Sequence, residues 1–163
     1  MSKRPRYQVT IVNATKKRRV YKPVVHAMQT LLEMFPGASG EVVVTLGDDE
    51  LLKELNSTYR SVDEATDVLT FLAPEHVPGV LGDVIVSMDF AARHARIRKV
   101  RLVDELAMLA VHGGLHLMGF DDQSDEDREI MVAKMNEVML KAGLPSDEDW
   151  HSLPHQVGAD AIV

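Results

Sequence analysis

Apolar and polar positions along this chain fall into two rhythms. Short runs rich in β-branched residues stand at 8–12 (QVTIV), 41–46 (EVVVTL), 67–72 (DVLTFL) and 82–87 (GDVIVS), and they predict four strands. Helical spacing governs the segments between and after them. Pro23 suits a first helical turn, where its missing N–H costs nothing, and Val24, Val25, Met28, Leu31, Leu32 and Phe35 then form a stripe that ends at Pro36-Gly37. Asp48 or Asp49 can cap a second helix whose buried face is Leu51, Leu52, Leu55 and Tyr59. The loop holding Pro74, Pro78 and Gly79 allows the strands on either side of it to pair antiparallel. Ser87 caps a third helix that carries Met88, Ala91, Ala92 and Ala95.

The helix from about 101 to 118 is almost wholly apolar beyond Glu105, which predicts a central, buried element. Ser124, with Asp127 three residues on, resembles a capping box, and Asp125, Glu126 and Asp127 favour the positive end of the helix that follows. That helix presents Met131, Met135, Val138 and Met139 and stops at Gly143. The expected organisation is a single α+β domain over 1–143, a small mixed β-sheet packed against helices, with 144–163 as a flexible C-terminal tail.

Composition narrows the chemistry. Cysteine is absent, so disulfides and thiolate zinc sites are excluded. No apolar run reaches the roughly 18 residues needed to cross a bilayer, and the expected location is the cytoplasm, with no membrane partner. The net charge is −7, but it is unevenly placed. Lys3, Arg4, Arg6, Lys16, Lys17, Arg18, Arg19 and Lys22 precede any acidic residue, and Arg93, Arg96, Arg98, Lys99 and Arg101 form a second basic group. Local field rather than total charge decides docking, so a nucleic-acid partner stays open.

The densest chemistry lies in VHGGLHLMGFDD, residues 111–122. His112 and His116 are four apart, hence on one helical face a turn apart, where two imidazole nitrogens can share an ion. Gly119 can take the left-handed conformation that ends a helix and turns the chain back, so Asp122 can approach the same ion. Three protein ligands leave a catalytic metal with an open position. A packed histidine pair with solvated aspartates would read the same. Position 113 is glycine, so the glutamate that serves as base in HExxH metalloproteases is missing. His26, His76 and His94 have no evident partners, and Pro154 separates His151 from His155.

These residues resemble a known family. HGGLHLMGFDD is similar to the HGxLHLxGYDH signature of the YbeY family of bacterial metal-dependent endoribonucleases, which act in ribosomal RNA maturation. LNSTYRSVDEATDVLTFL (55–72) and LGDVIVS (81–87) match its LNxxYRxxDxxTDVLSFP and LGDIxIS blocks in the same order. The resemblance implies a zincin-like metal site on the buried central helix, with His112 and His116 as ligands and Arg60 as the active-site arginine. It also implies ribosomal RNA, the small ribosomal subunit and its assembly factors as partners. The family's third ligand is histidine, and this chain has Asp122 there. A carboxylate still binds zinc at about 2.0–2.2 Å, but it cancels one unit of the ion's charge. The expected cofactor is one divalent ion per chain, zinc, with manganese or nickel as alternatives.

The function so implied is a single-strand endoribonuclease in ribosomal RNA processing and small-subunit maturation, with Arg60 clamping phosphate through two parallel donors. Without the resemblance, Arg60 reads as a surface partner of Asp63 or Glu64. Asp83 is a weak candidate for a general base. Two further readings stay open: an assembly factor that binds RNA but cleaves weakly, and a metal-dependent hydrolase of another substrate such as a peptide. Gly113 counts against the last.

Overall fold

The computed structural model describes residues 6–15 and 21–152; Lys3, Arg4, the basic run 16–19 and the expected tail beyond 152 lie outside them. In order, the elements are β1 (Tyr7–Asn13), α1 (Lys22–Glu33), β2 (Gly40–Gly47), α2 (Asp49–Arg60), β3 (Val68–Leu72), β4 (Val80–Ser87), α3 (Met88–Arg98), α4 (Leu102–Leu117) and α5 (Asp125–Lys141). The fold is α+β, with one sheet in the order β1-β2-β4-β3. β1, β2 and β4 run parallel, and β3 pairs antiparallel with β4 in the register Val68↔Val86 to Leu72↔Gly82. The hairpin expected across the Pro74–Gly79 loop is present.

Caps fall where the side chains allow them. Asp48 accepts from the Leu51 N–H at 2.8 Å, Ser87 from Phe90 at 3.1 Å, and Ser124 from Asp127 at 3.0 Å. Strand alternation divides the interior in two. Val42, Val44, Val84, Val86 and Val68 face the main core with α1, α4 and α5, whereas Leu69 and Ile85 face the other way, onto Leu52 of α2. Helix α4 runs through the main core, and every residue from Asp104 to Leu117 is buried.

Gly113 explains how α4 lies so close to the sheet. A Cβ there would come within 2.5 Å of Val84 Cγ1 and 3.1 Å of Thr70 Oγ1. Gly114, on the opposite flank, would meet only the flexible ends of Met28 and Leu31, at 2.9 and 3.1 Å. Gly113→Ala is therefore expected to cost about 1–3 kcal/mol in urea unfolding, as overpacking does, and Gly114→Ala less. Equal midpoints for the two variants would contradict this account of the α4–sheet contact.

Two expectations are corrected by the packing. Tyr59, placed on the buried face of α2 by periodicity, is 67% exposed: it lies outside the small Leu52–Leu69–Ile85 cluster and meets the Phe71 ring in a T-shaped contact. Residues 144–152, expected as tail, are packed onto the domain. Trp150 is 2% exposed within the main core, and Asn136 and Asp147 exchange side-chain–backbone hydrogen bonds at 3.1 and 2.8 Å. Pro145 and three acidic residues disguise a segment whose one indole supplies the anchor.

Candidate metal centre

The site begins with how α4 ends. Gly119 has φ +98°, and its N–H bonds the His116 carbonyl at 3.0 Å while the Phe120 N–H reaches back to Leu115 at 3.0 Å. This pair of bonds is a Schellman closure, which only a residue tolerant of positive φ makes cheaply. Phe120 then packs edge-on against Phe35, with ring centroids 5.9 Å apart, and the chain turns so that Asp122 returns over the helix. Asp121 accepts the Asp122 N–H at 2.8 Å, and Arg128 Nη1 donates to the Asp122 carbonyl at 3.1 Å, so the returning loop is tied at both sides. Arg128 also pairs with Asp125. Asp121 thus holds backbone, and Asp122 turns inward, 9% exposed.

His112 and His116, 3% and 6% exposed, face Asp122. Their Nε2 atoms lie 3.2 Å apart, and Asp122 Oδ2 lies 3.3 Å from His112 Nε2 and 3.6 Å from His116 Nε2. Two ligands bound at about 2.0–2.1 Å in tetrahedral geometry stand about 3.3–3.4 Å apart, so this triangle has the edge lengths of one face of such a site. The protonation chemistry agrees. His116 Nδ1 is 2.9 Å from the Phe120 carbonyl, which can only accept, so the ring proton belongs on Nδ1 and Nε2 presents a lone pair. Asp122 Oδ2 is likewise an acceptor when ionised. His112 Nε2 carries at most one hydrogen and cannot serve both neighbours, whereas a cation serves all three. Burial holds the His112 imidazole below the usual histidine range, against the pull of Asp122, which keeps it in the neutral form a metal needs. These three residues could hold a metal ion.

Arg60 is not among the converging groups but connects to them. Its Nη2 donates to the Thr70 carbonyl at 2.8 Å, and its guanidinium lies 5.2 Å from the centre of the Phe71 ring. The Thr70 hydroxyl approaches the Gly113 carbonyl at 3.5 Å, so β3, one of the two edge strands of the sheet, joins Arg60 to the His112 turn. Of the two surface partners the sequence offers Arg60, Asp63 or Glu64, Asp63 lies 3.9 Å from Lys53.

Asp83 is on the wrong side for a base. It alternates with Val84 on β4 and shares the α2 face with Ile85, whereas α4 packs on the Val84 face. Its carboxyl is raised by burial and by neighbouring Glu41, which reflects sheet packing alone. The second basic group is largely offset by carboxylates. Arg93 pairs with Asp49 at 2.8 Å, Arg101 holds Asp104 through two bonds of 2.9 and 3.0 Å, and Arg98 turns inward to Glu105 at 3.3 Å and to Asp147.

Sequence reasoning missed the buried polar group beside His112. Glu105, 2% exposed, accepts the Trp150 indole N–H at 2.9 Å, and fully buried Asp67 accepts the Ser152 hydroxyl at 2.7 Å and the Val68 N–H at 2.8 Å. Burial pushes the Glu105 carboxyl up, and Trp150 and Arg98 pull it back. The available signal was a carboxylate at the start of an otherwise apolar helix, which requires a partner from elsewhere. No helix among the described residues is long and apolar enough to cross a membrane.

Comparison with known proteins agrees with the motif reading. A sequence profile described as Endoribonuclease YbeY matches residues 6–143. A protein of that name from Maricaulis maris is 35% identical over 145 residues, covering 87% of this chain and 89% of the relative. One from Aquifex aeolicus is 35% identical over 143 residues, covering 86% and 95%. The solution structure of a Thermotoga maritima protein superimposes with a TM-score of 0.60 at 27% identity, covering 82% of this chain and 88% of that one.

Proposed function

Because the chain belongs to the YbeY family of endoribonucleases, we propose that it is a metal-dependent enzyme that cuts single-stranded RNA in ribosomal RNA processing and small-subunit maturation, acting in the cytoplasm. The observation that carries the reading is the convergence of His112, His116 and Asp122 within 3.2–3.6 Å of one another at the end of a buried helix. Zinc is the expected ion; the hard carboxylate also admits manganese, and the two imidazoles admit nickel. A divalent ion there supplies Lewis-acid polarisation of a phosphoryl oxygen and a more acidic water.

The protein's own groups do the rest. The Phe120 carbonyl fixes the His116 tautomer, and the tied loop 121–125 holds Asp122 in place. Arg60 offers guanidinium donors to a phosphate, with the Phe71 ring and the Thr70 carbonyl fixing its plane. Gly113 puts no carboxylate beside the ion and instead admits the sheet, which disfavours a peptidase. Asp122 itself favours the second reading, an assembly factor with weak cleavage, because its charge lowers the ion's Lewis acidity.

The test uses zinc-loaded full-length protein on single-stranded RNA, duplex RNA and casein. Cleavage of the single strand that stops with chelator is the expected result. Arg60→Ala is expected to lower that cleavage by about 10²-fold and leave zinc affinity unchanged, since the arginine contributes to charge at phosphorus and not to the ion. Casein turnover, or RNA binding without any cleavage, would overturn the nuclease reading.

A further inference from the structure

We propose that residues 144–152 form a latch through which Trp150 positions His112, so that affinity for a divalent ion depends on a segment beyond the family-matched region. This rests on reading His112 as a ligand. The three candidate ligands are held in different ways. His116 is fixed by the Phe120 carbonyl, and Asp122 by its loop. The His112 ring meets Asp122 through Nε2 at 3.3 Å and packs against two other rings: His116 at 4.8 Å and 85°, and Trp150 at 5.1 Å and 49°. The indole is thus the contact with His112 contributed by the C-terminal segment. It sets the plane in which Nε2 meets the other two ligands.

The latch is fastened on both sides of the indole. Before it, Asp147 exchanges two hydrogen bonds with Asn136 of α5 and pairs with Arg98 of α3. After it, the Ser152 hydroxyl bonds Asp67 at the start of β3 at 2.7 Å. Between them, the indole N–H is spent on Glu105 at 2.9 Å, and Arg98 lies 5.9 Å from the ring. The segment therefore spans α3, α4, α5 and β3 and delivers a rigid aromatic face to one imidazole. A tryptophan that merely filled a hole would stabilise the fold and leave the affinity of the folded protein for metal unchanged.

Trp150 is the only tryptophan in the chain, so its fluorescence reports on His112 directly. Titrating metal-free full-length protein with zinc is expected to change the emission and saturate at one equivalent. By chelator competition, Trp150→Ala is expected to bind zinc about 10-fold or more weakly, as loss of an orienting neighbour does. Trp150→Phe keeps a ring on His112 but lacks the bond to Glu105, and should recover most of that affinity. Leu52→Ala, in the cluster on the other face of the sheet, should lose stability and keep wild-type zinc affinity. Should Trp150→Ala not fold, the emission titration and the phenylalanine variant decide. Wild-type affinity in Trp150→Ala, equal weakness in the two Trp150 variants, or an emission unmoved by bound zinc overturns the latch. Wild-type protein that binds no zinc overturns the metal reading itself, and the latch with it.

Discussion

Replacing His116 by alanine is expected to lower zinc affinity on the order of 10³-fold and to abolish RNA cleavage with it. The magnitude follows from the share of one ligand: zinc binding to four-ligand structural sites is worth about 10–16 kcal/mol in all, and a site with three ligands loses a comparable share with any one of them. His116 is the most constrained of the three, because the Phe120 carbonyl at 2.9 Å commits its proton to Nδ1 before any ion arrives. The substitution also removes a tie across the turn at the end of α4, so a stability loss of about 1–2 kcal/mol accompanies it. Circular dichroism separates the two effects, since the variant should remain folded at room temperature while calorimetry finds no tight zinc. A folded His116→Ala protein that binds zinc like the wild type would falsify the assignment of this corner as the metal centre.

The candidate site was legible in the sequence to the extent that it is local. His112, His116 and Gly119 obey helical spacing and a known way of ending a helix, and Asp122 follows within three residues. Backbone geometry alone brings these groups near one another. The strands were legible for the same reason, as β-branched runs set their own conformation. What was hidden depends on which surface meets which. Asp83 looked available because the alternation of β4 was plain but its faces could not be told apart without the register against β3 and the side on which α4 lies. Arg98 sits among four other basic residues and reads as solvated, yet it enters the interior to meet Glu105 and Asp147, 49 positions away in the latter case. Trp150 is the counterpart, one anchor among acidic and proline residues whose partner on α4 lies 45 positions back. Long-range pairs of this kind carry no periodic signal, although a carboxylate opening an apolar helix implies that a partner exists.

Asp122 carries the second large expected effect, and it is the candidate ligand at which this chain departs from the family motif. Asp122→Ala should weaken zinc binding to a degree comparable with His116→Ala, on the order of 10³-fold, because it removes both a ligand and the only formal negative charge among the three. Asp122→Asn keeps the shape and one oxygen but not the charge, so it should fall between alanine and wild type. Asp122→His restores the histidine of the family motif, and it separates binding from chemistry. Three neutral imidazoles leave the ion's full charge in place, which lowers the pKa of water at the site. The rising limb of the cleavage profile should therefore move to lower pH, while affinity for manganese falls relative to zinc as the hard oxygen is lost. If cleavage by Asp122→His exceeds the wild type at neutral pH, the native aspartate has traded Lewis acidity for another property, and the assembly-factor reading gains. Unchanged zinc affinity in Asp122→Ala would instead show that the carboxylate, although 3.3 Å from His112 Nε2, only hydrogen-bonds the imidazoles.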